Sequence, residues 1–471
     1  MPVDDERSGV ADRSAGRPGR RTAIDPKRHS RAPLDCLVRL FFERRLRPAF
    51  RHALCPMRSS EPFPPTRAEA WVRLREFLSV ATHYAAQRNQ VVSGHPYVSR
   101  LSPAVRYRLV SEAEILETVL AAHPFPAVEK FVQEVVWRTY WKGWLELRPG
   151  VWADYREQVA RLRVSAPENT LARVAEITSG RSGVAIMDRF VRELVGTGYL
   201  HNHARMWFAS FWIHIERLPW ALGADFFLRH LLDADPASNT LSWRWVAGLQ
   251  TKGKTYLVRR SNLEKYADPA CRDDPAGLDR LDDAHVSAAI IEDTADLSIV
   301  PLNDSPGRPE AVTGRCGLWL HSDDLSVETS CLAELHPTSC RAFLSGRRDG
   351  SPGPSPLSES YLRGAMQDAV TRAAAHFGCP TDFELTETLP AAMADWAQRD
   401  RLNSVVTLAP FVGPVGDALP AIRSALLAVG INLVLVRRPY DTALFPLARG
   451  GYFGFWERAQ GWLKGAGPFN V

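Results

Sequence analysis

Leu232-Asp233-Ala234-Asp235-Pro236-Ala237-Ser238-Asn239-Thr240-Leu241-Ser242-Trp243-Arg244-Trp245 and, before it, Gly198-Tyr199-Leu200-His201-Asn202-His203-Ala204-Arg205-Met206 decide how this chain is read. In the later stretch two acids flank a turn, an asparagine follows, and two tryptophans close it. In the earlier one a glycine turn leads four polar side chains into a helix that then runs apolar through Trp207, Phe208, Phe211 and Trp212. Polar residues at the start of a buried helix have hydrogen-bond duties. Asp233 and Arg205 are candidates for an ion pair. His201 and His203 stand two apart, a poor spacing for two ligands on one helix face, so no metal site is expected.

Outward from these, residues 34–270 read as almost wholly helical. Val128 to Trp137 has apolar residues at three- and four-residue intervals, bounded by Pro126 and Pro149. Residues 184–195 and 203–217 repeat the pattern, with Gly196-Thr197-Gly198 as helix end and turn. Within the first helix Glu134 and Arg138 share a face as an i,i+4 pair, with Trp137 close enough to line the same cavity. Ser99-Arg100-Leu101-Ser102-Pro103 reads as a turn before a helix that offers hydroxyls and backbone N–H groups to an anion. Residues 1–33 are rich in Arg, Gly, Pro, Ser and Asp and read as a disordered tail. Residues 271–312 are acidic and turn-rich, a linker with one short helix at most.

Beyond 312 the pattern changes. Cys316–Leu320, Ser404–Leu408 and Asn432–Val436 are apolar runs of strand length. Helical candidates at 358–377, 388–399 and 417–429 alternate with them, and Tyr452–Leu463 reads as a terminal amphipathic helix. The fold class is therefore helical followed by α/β, the second domain (313–471) holding a parallel sheet with helices on both faces.

Charge divides the same way. Residues 1–270 hold 41 Lys and Arg against 28 Asp and Glu, and the rest hold 17 against 25. A basic half suits a polyanion such as nucleic acid, the alternative being that surface charge simply varies between domains. Nine of the 14 tryptophans lie between 131 and 250, which suits core packing and also stacking on bases or a planar cofactor. No run of 18 uncharged apolar residues occurs, so no membrane span is expected. The first residues lack the apolar core of a secretory signal. Seven scattered cysteines without CxxC spacing point to reduced thiols in a cytoplasm.

Taken in order, Tyr84, Ser99 to Pro103, Glu134 to Arg138, Asp188, Gly198 to Met206, Trp220, and Asp233 to Trp245 resemble the FAD-binding helical domain of the photolyase/cryptochrome family, over about 80–265. The resemblance implies that Tyr84, Ser99, Leu101 and Ser102 hold the phosphates and ribityl chain of FAD. Arg138 lies beside the flavin, Asn202, Arg205, Asp233 and Asp235 surround the folded cofactor, and Asn239 faces flavin N5. It further implies that Glu134, Trp137, Met206 and Trp245 line a pocket for a flipped pyrimidine dimer. Trp243 and Trp220 match the inner members of an electron-transfer chain. The implied reaction is light-driven electron transfer from reduced flavin to a cyclobutane dimer in damaged DNA, the extruded bases being stacked and hydrogen-bonded in a dry pocket. Met206 stands where the (6-4) enzymes carry a histidine and argues against that subclass.

The chain departs from the pattern at four places. Val98 replaces a hydroxyl residue, His203 replaces an arginine, Thr240-Leu241-Ser242 replaces a smaller turn, and the outer tryptophan position falls at Val164, with Trp152 a nearby ring that could substitute. These departures keep a second reading open, a cryptochrome-like blue-light receptor that signals through a protein partner. The order is also unusual, because the family places its antenna domain first. Gly317 to Leu325 looks like that domain's opening strand and Asp-Leu turn, and Gly451 to Trp456 is similar to the segment leading out of it. This implies a circular permutation, with the second, antenna chromophore unassigned.

Overall fold

The computed structural model describes residues 63–251, 254–269, 274–282, 284–286, 294–302, 312, 314–345 and 353–466. All described residues lie in one compact unit, Ala53–Val471. The tail expected over 1–33, the first part of the expected helical domain and much of the expected linker lie outside the described residues. A single 3-10 turn, Leu278–Leu281, is described within that linker.

The helices that position the site are α1 (Arg67–Leu78), α2 (Ser102–Arg106), α3 (Glu112–Ala122), α4 (Phe125–Glu146), α5 (Gly150–Ser165), α6 (Ala185–Thr197), α7 (Asn202–Ser210), α8 (Trp220–His230) and α9 (Pro236–Val246). Their starts are chemically marked. Ser111 and Glu114 form a reciprocal capping box on α3, Asp235 accepts from Ser238 N at α9, and α4 carries Pro126 in its first turn. On α4 the buried Val128, Phe131, Val132, Val136 and Thr139 recur at helical spacing. The reading of 203–217 as one regular helix needs correction. α7 passes into a π-helical turn at Phe211–Ile215, held by Trp212 Nε1 donating to Pro219 O and by His214 Nε2 against Val246 O, both at 3.0 Å.

The sheet comprises β1 (Cys316–Leu320), β2 (Ser339–Ser345), β3 (Thr381–Thr386), β4 (Ser404–Leu408) and β5 (Asn432–Val436), all parallel, in the order β3-β2-β1-β4-β5. Helices α10 (Pro356–Phe377), α11 (Leu389–Arg399), α12 (Pro414–Ala428) and α13 (Tyr452–Ala466) complete this part. β1 and β4 are buried along their whole length because both faces are covered. Leu318, Leu320 and Val406 join the large core shared with the helices, while Trp319 and Val405 face a second core with Trp396 and Ile422.

β1, β4 and β5 coincide with the apolar runs read from the sequence. β2 and β3 were not among them, because Arg341, Asp382 and Glu384 interrupt any apolar run. Those charges satisfy one another across the strands, Arg341 donating to Glu384 at 2.8 Å and to Asp382 at 2.9 Å. Among the described residues no helix is long and apolar enough to cross a membrane. Cys316, Cys331, Cys340 and Cys379 are free thiols.

Candidate functional site

Gly198 fixes the geometry of the site. It closes α6 with φ +68°, its N–H bonding to Leu194 O at 2.8 Å. A Cβ there would lie 2.5 Å from Leu232 Cγ, so only glycine allows the turn to meet the 231–235 segment. Leu232 N then donates to Gly198 O at 2.8 Å. This docking brings Arg205 against Asp233 with a forked pair of bonds, 3.2 and 2.9 Å, while Arg205 Nε donates to Leu200 O at 2.8 Å. Two residues on, Asp235 caps α9 and accepts from Arg138 Nη2 at 2.5 Å. Burial alone would lift the Asp235 carboxyl, but Arg138, Lys142 and Arg106 hold it below its ordinary range. Asn239, one turn along α9, is buried and donates from Nδ2 to Ala224 O at 2.8 Å.

The Ser99–Ser102 turn supplies a different kind of surface. Arg100 has φ +53° and Leu101 is right-handed (φ −86°, ψ −6°), a succession that turns neighbouring N–H groups toward one point, as an anion nest does. Leu101 N makes only a 3.4 Å contact to Ser99 Oγ. Ser102 Oγ is buried with no hydrogen-bond partner among the described residues, and Arg138 Nε and Lys142 Nζ are likewise without one. Buried polar groups are nearly always satisfied, so the Ser102 hydroxyl fits a polar ligand such as the phosphates and ribityl hydroxyls of FAD, whereas Arg138 Nε and Lys142 Nζ face the Glu112 carboxylate. Tyr84 packs edge-on against Phe131 at 5.2 Å, and burial together with the nearby Glu134 carboxylate pushes its phenol far up.

The expected dimer-pocket residues already have partners. Glu134 accepts from Arg88 Nη1 at 2.6 Å, and burial raises its carboxyl although Arg88 pulls the other way. Trp137 is stacked on Tyr452 of α13, with centroids 3.5 Å apart and planes 7° apart, and Tyr452 donates to Gln133 O at 2.8 Å. Trp245 lies 5.7 Å from Tyr256, nearly parallel, and Met206 is buried with Asn202 Nδ2 against its sulfur at 3.7 Å. Burial lowers His203 to about 4, so the residue that replaces an arginine is neutral here.

Sequence reasoning did not single out Arg88, Tyr452, Glu112 or Lys142. Arg88 follows Tyr84 by four residues, a spacing visible in the sequence. Glu112 lies 3.4 Å from both Arg138 Nε and Lys142 Nζ and donates no sign of itself beyond helix position. Lys142 and Glu146 line a small cavity with Arg106, Asp235, Asp323 and Phe411; burial brings the lysine down to about 8 and the glutamate up to about 7.

An anion nest, two carboxylate-held arginines and a buried asparagine are features that suit a phosphorylated planar cofactor. Residues 131–272 match the family described as the FAD binding domain of DNA photolyase. This helical part of the chain is therefore similar to the FAD-binding domain of the photolyases. Curated relatives include the deoxyribodipyrimidine photo-lyases of Streptomyces griseus, 37% identical over 32% of each chain, and of Synechococcus sp., 32% identical over 44% of each. That of Escherichia coli is 28% identical over 41% of this chain and 42% of its own. The chain thus spans less than half the length of these relatives. Among solved structures, a bacterial class III photolyase from Agrobacterium tumefaciens is 27% identical over 43% of this chain and 42% of its own, with a TM-score of 0.37.

Proposed function

We propose that this protein repairs cyclobutane pyrimidine dimers in DNA by light-driven electron transfer from reduced FAD. The observation that carries the reading is the pair of carboxylate-held guanidiniums, Arg205–Asp233 and Arg138–Asp235, at the start of the helix that bears Asn239. Bound FAD supplies a light-absorbing one-electron donor. The chain's own residues hold and shield it. Ser99, Leu101, Ser102 and Tyr84 take its polar backbone, with Asn202 at the edge. Arg205 and Arg138 keep fixed positive charge beside the ring without reorganisation when charge develops. The raised carboxyl of Glu134 suits a donor to a pyrimidine carbonyl, and Trp137, Trp245 and Met206 suit the apolar walls of a pocket for extruded bases. Helices before sheet supports the reading of a circular permutation, with a helical module near 34–270 and an α/β module from 313.

A second reading has its own support. The Tyr452 ring on Trp137 and the Arg88–Glu134 pair already satisfy two dimer-pocket residues, which favours a blue-light receptor without repair. Light-dependent repair of a defined thymine-dimer oligonucleotide by the reduced protein separates the two. Repair is expected, falling about 100-fold in Glu134→Ala, the usual cost of one transition-state donor. Flavin bound and photoreduced with no repair of this lesion or of a (6-4) photoproduct would overturn the repair reading in favour of the receptor.

A further inference from the structure

Among the described cysteines, two thiols donate to backbone carbonyls, Cys331 Sγ to Arg437 O at 3.8 Å and Cys316 Sγ to His336 O at 3.9 Å. Cys340 and Cys379 instead meet each other, Sγ to Sγ at 3.4 Å, although they stand 39 residues apart in the chain. The backbone holds both in place. Gly378 closes α10 in the left-handed conformation, φ +62°, its N–H on Ala374 O at 3.1 Å, and the chain leaves that turn through Cys379 and Pro380 into β3. Cys340 N donates to Pro380 O at 2.8 Å and Thr381 Oγ1 to Cys379 O at 3.0 Å, so the segment carrying Cys379 is tied to the start of β2. Cys340 is buried, 1% exposed, whereas Cys379 is half-buried. Burial and the neighbouring Cys379 push the Cys340 thiol up, so it stays protonated, and Cys379 is the sulfur that a dissolved reagent meets first.

The strand beside this pair is the one most in need of a fastening. β3 is the outer strand and pairs only with β2. None of its six residues is fully buried, and Leu385 is 54% exposed. A strand held from one side opens more readily than its neighbours. We propose that Cys340 and Cys379 form a reversible thiol–disulfide pair, oxidised by a small-molecule disulfide such as oxidised glutathione, that clasps the edge strand β3 to β2. Cys379 as thiolate attacks one sulfur of the small disulfide, the S–S bond breaks, and one thiolate leaves. Cys340 then attacks Cys379 Sγ, its thiol proton passes to the first leaving thiolate, and the second thiolate departs to take up the proton that Cys379 lost. Two electrons and two protons pass from the protein dithiol to the reagent, which ends as two thiols. Excess small thiol reverses both steps. Cys340 lies in β2 and Cys379 two residues ahead of β3, so the new bond spans the two strands at their start.

Peptide mapping of the full chain, treated with oxidised glutathione, unfolded in an alkylating agent and digested, tests the pair. A linked Cys340–Cys379 peptide is expected, lost again after dithiothreitol. In Cys340→Ala, glutathione is expected to stay on Cys379 as a mixed disulfide, whereas in Cys379→Ala the buried Cys340 takes up none. Hydrogen exchange tests the clasp: the amides of β3 should exchange at least about 10-fold more slowly in the oxidised chain than in the reduced one, since a link between residues this far apart removes much of the freedom of the opened segment. Recovery of both residues of the wild type as free thiols, or a link from Cys379 to Cys316, overturns the pair, and neither result depends on how a variant folds. A Cys340–Cys379 link that leaves β3 exchange unchanged overturns the clasp.

Discussion

The carboxyl ends of β1 and β4 and the mouth of the helical site are both rich in buried charge, yet they differ in what is left over. Strand order reverses between β1 and β4, the place where open α/β sheets take their ligands. Here the chain's own charges pair across most of that crevice and leave the small cavity lined by Lys142 and Glu146. Asp323 accepts from Arg106 at 2.9 Å and from Phe411 N at 3.0 Å. Asp324 accepts from Arg438 at 2.6 and 2.7 Å and from Arg108 at 3.2 Å, and Arg108 forks onto Asp441 with two bonds of 2.7 Å. At the helical site, by contrast, the buried Ser102 Oγ remains without a hydrogen bond among the described residues. Satisfaction, not the number of charges, separates a buttress from a binding site.

The comparison breaks most easily at Arg108. Its side chain is buried, and Arg108→Met leaves the Asp441 carboxylate without both of its guanidinium bonds. Removing one partner of a buried pair costs about 3–5 kcal/mol, a large share of a typical folding free energy. Urea unfolding of the flavin-free protein is expected to show that loss. A loss under about 1 kcal/mol would mean that the sheet edge is no buttress.

Acid probes the same edge more gently. Burial would push the Asp324 carboxyl up, but Arg438 and Arg108 bring it from 3.8 to about 2. A carboxyl depressed on folding stabilises the folded state above its unfolded value and loses that stabilisation as pH falls toward its folded value. The window is therefore about pH 4 down to about 2, and the loss is ~2 kcal/mol. Unfolding free energies measured across that range should fall, and Asp324→Asn should flatten the fall.

Much of this contrast was legible in the sequence, but unevenly. β1 and β4 announce themselves because strands covered on both faces must be apolar throughout, and the edge strand β5 carries a similar apolar run, Leu433 to Val436. β2 and β3 do not, because their charges cancel only once the strands are paired. Arg205 and Asp233 carry their pairing in residue type and in the glycine turn at Gly198 that precedes them. The Arg108–Asp441 fork joins residues 333 apart, and no local pattern predicts it. Tyr452 on Trp137 is equally silent, since it depends on α13 returning to α4. Local chemistry is readable from the chain, whereas closure between distant segments is not.

The finest test of the contrast is Ser102→Ala. Ser102 Oγ is buried and donates to nothing described in the protein alone. Deleting it therefore removes an unsatisfied polar atom and no bond, so the stability of the flavin-free protein should stay within about 0.5 kcal/mol of wild type. Flavin retention should still weaken, by about 1 kcal/mol or roughly fivefold in dissociation constant, because a bond made only to the ligand is lost. Urea unfolding of the flavin-free chain and flavin titration by fluorescence measure the two quantities separately. Equal losses in both would mean that Ser102 braces the turn and the spare hydroxyl does not mark a ligand. A loss confined to flavin binding would tie the unsatisfied atom to the cofactor, which is the distinction that sets the helical site apart from the sheet edge.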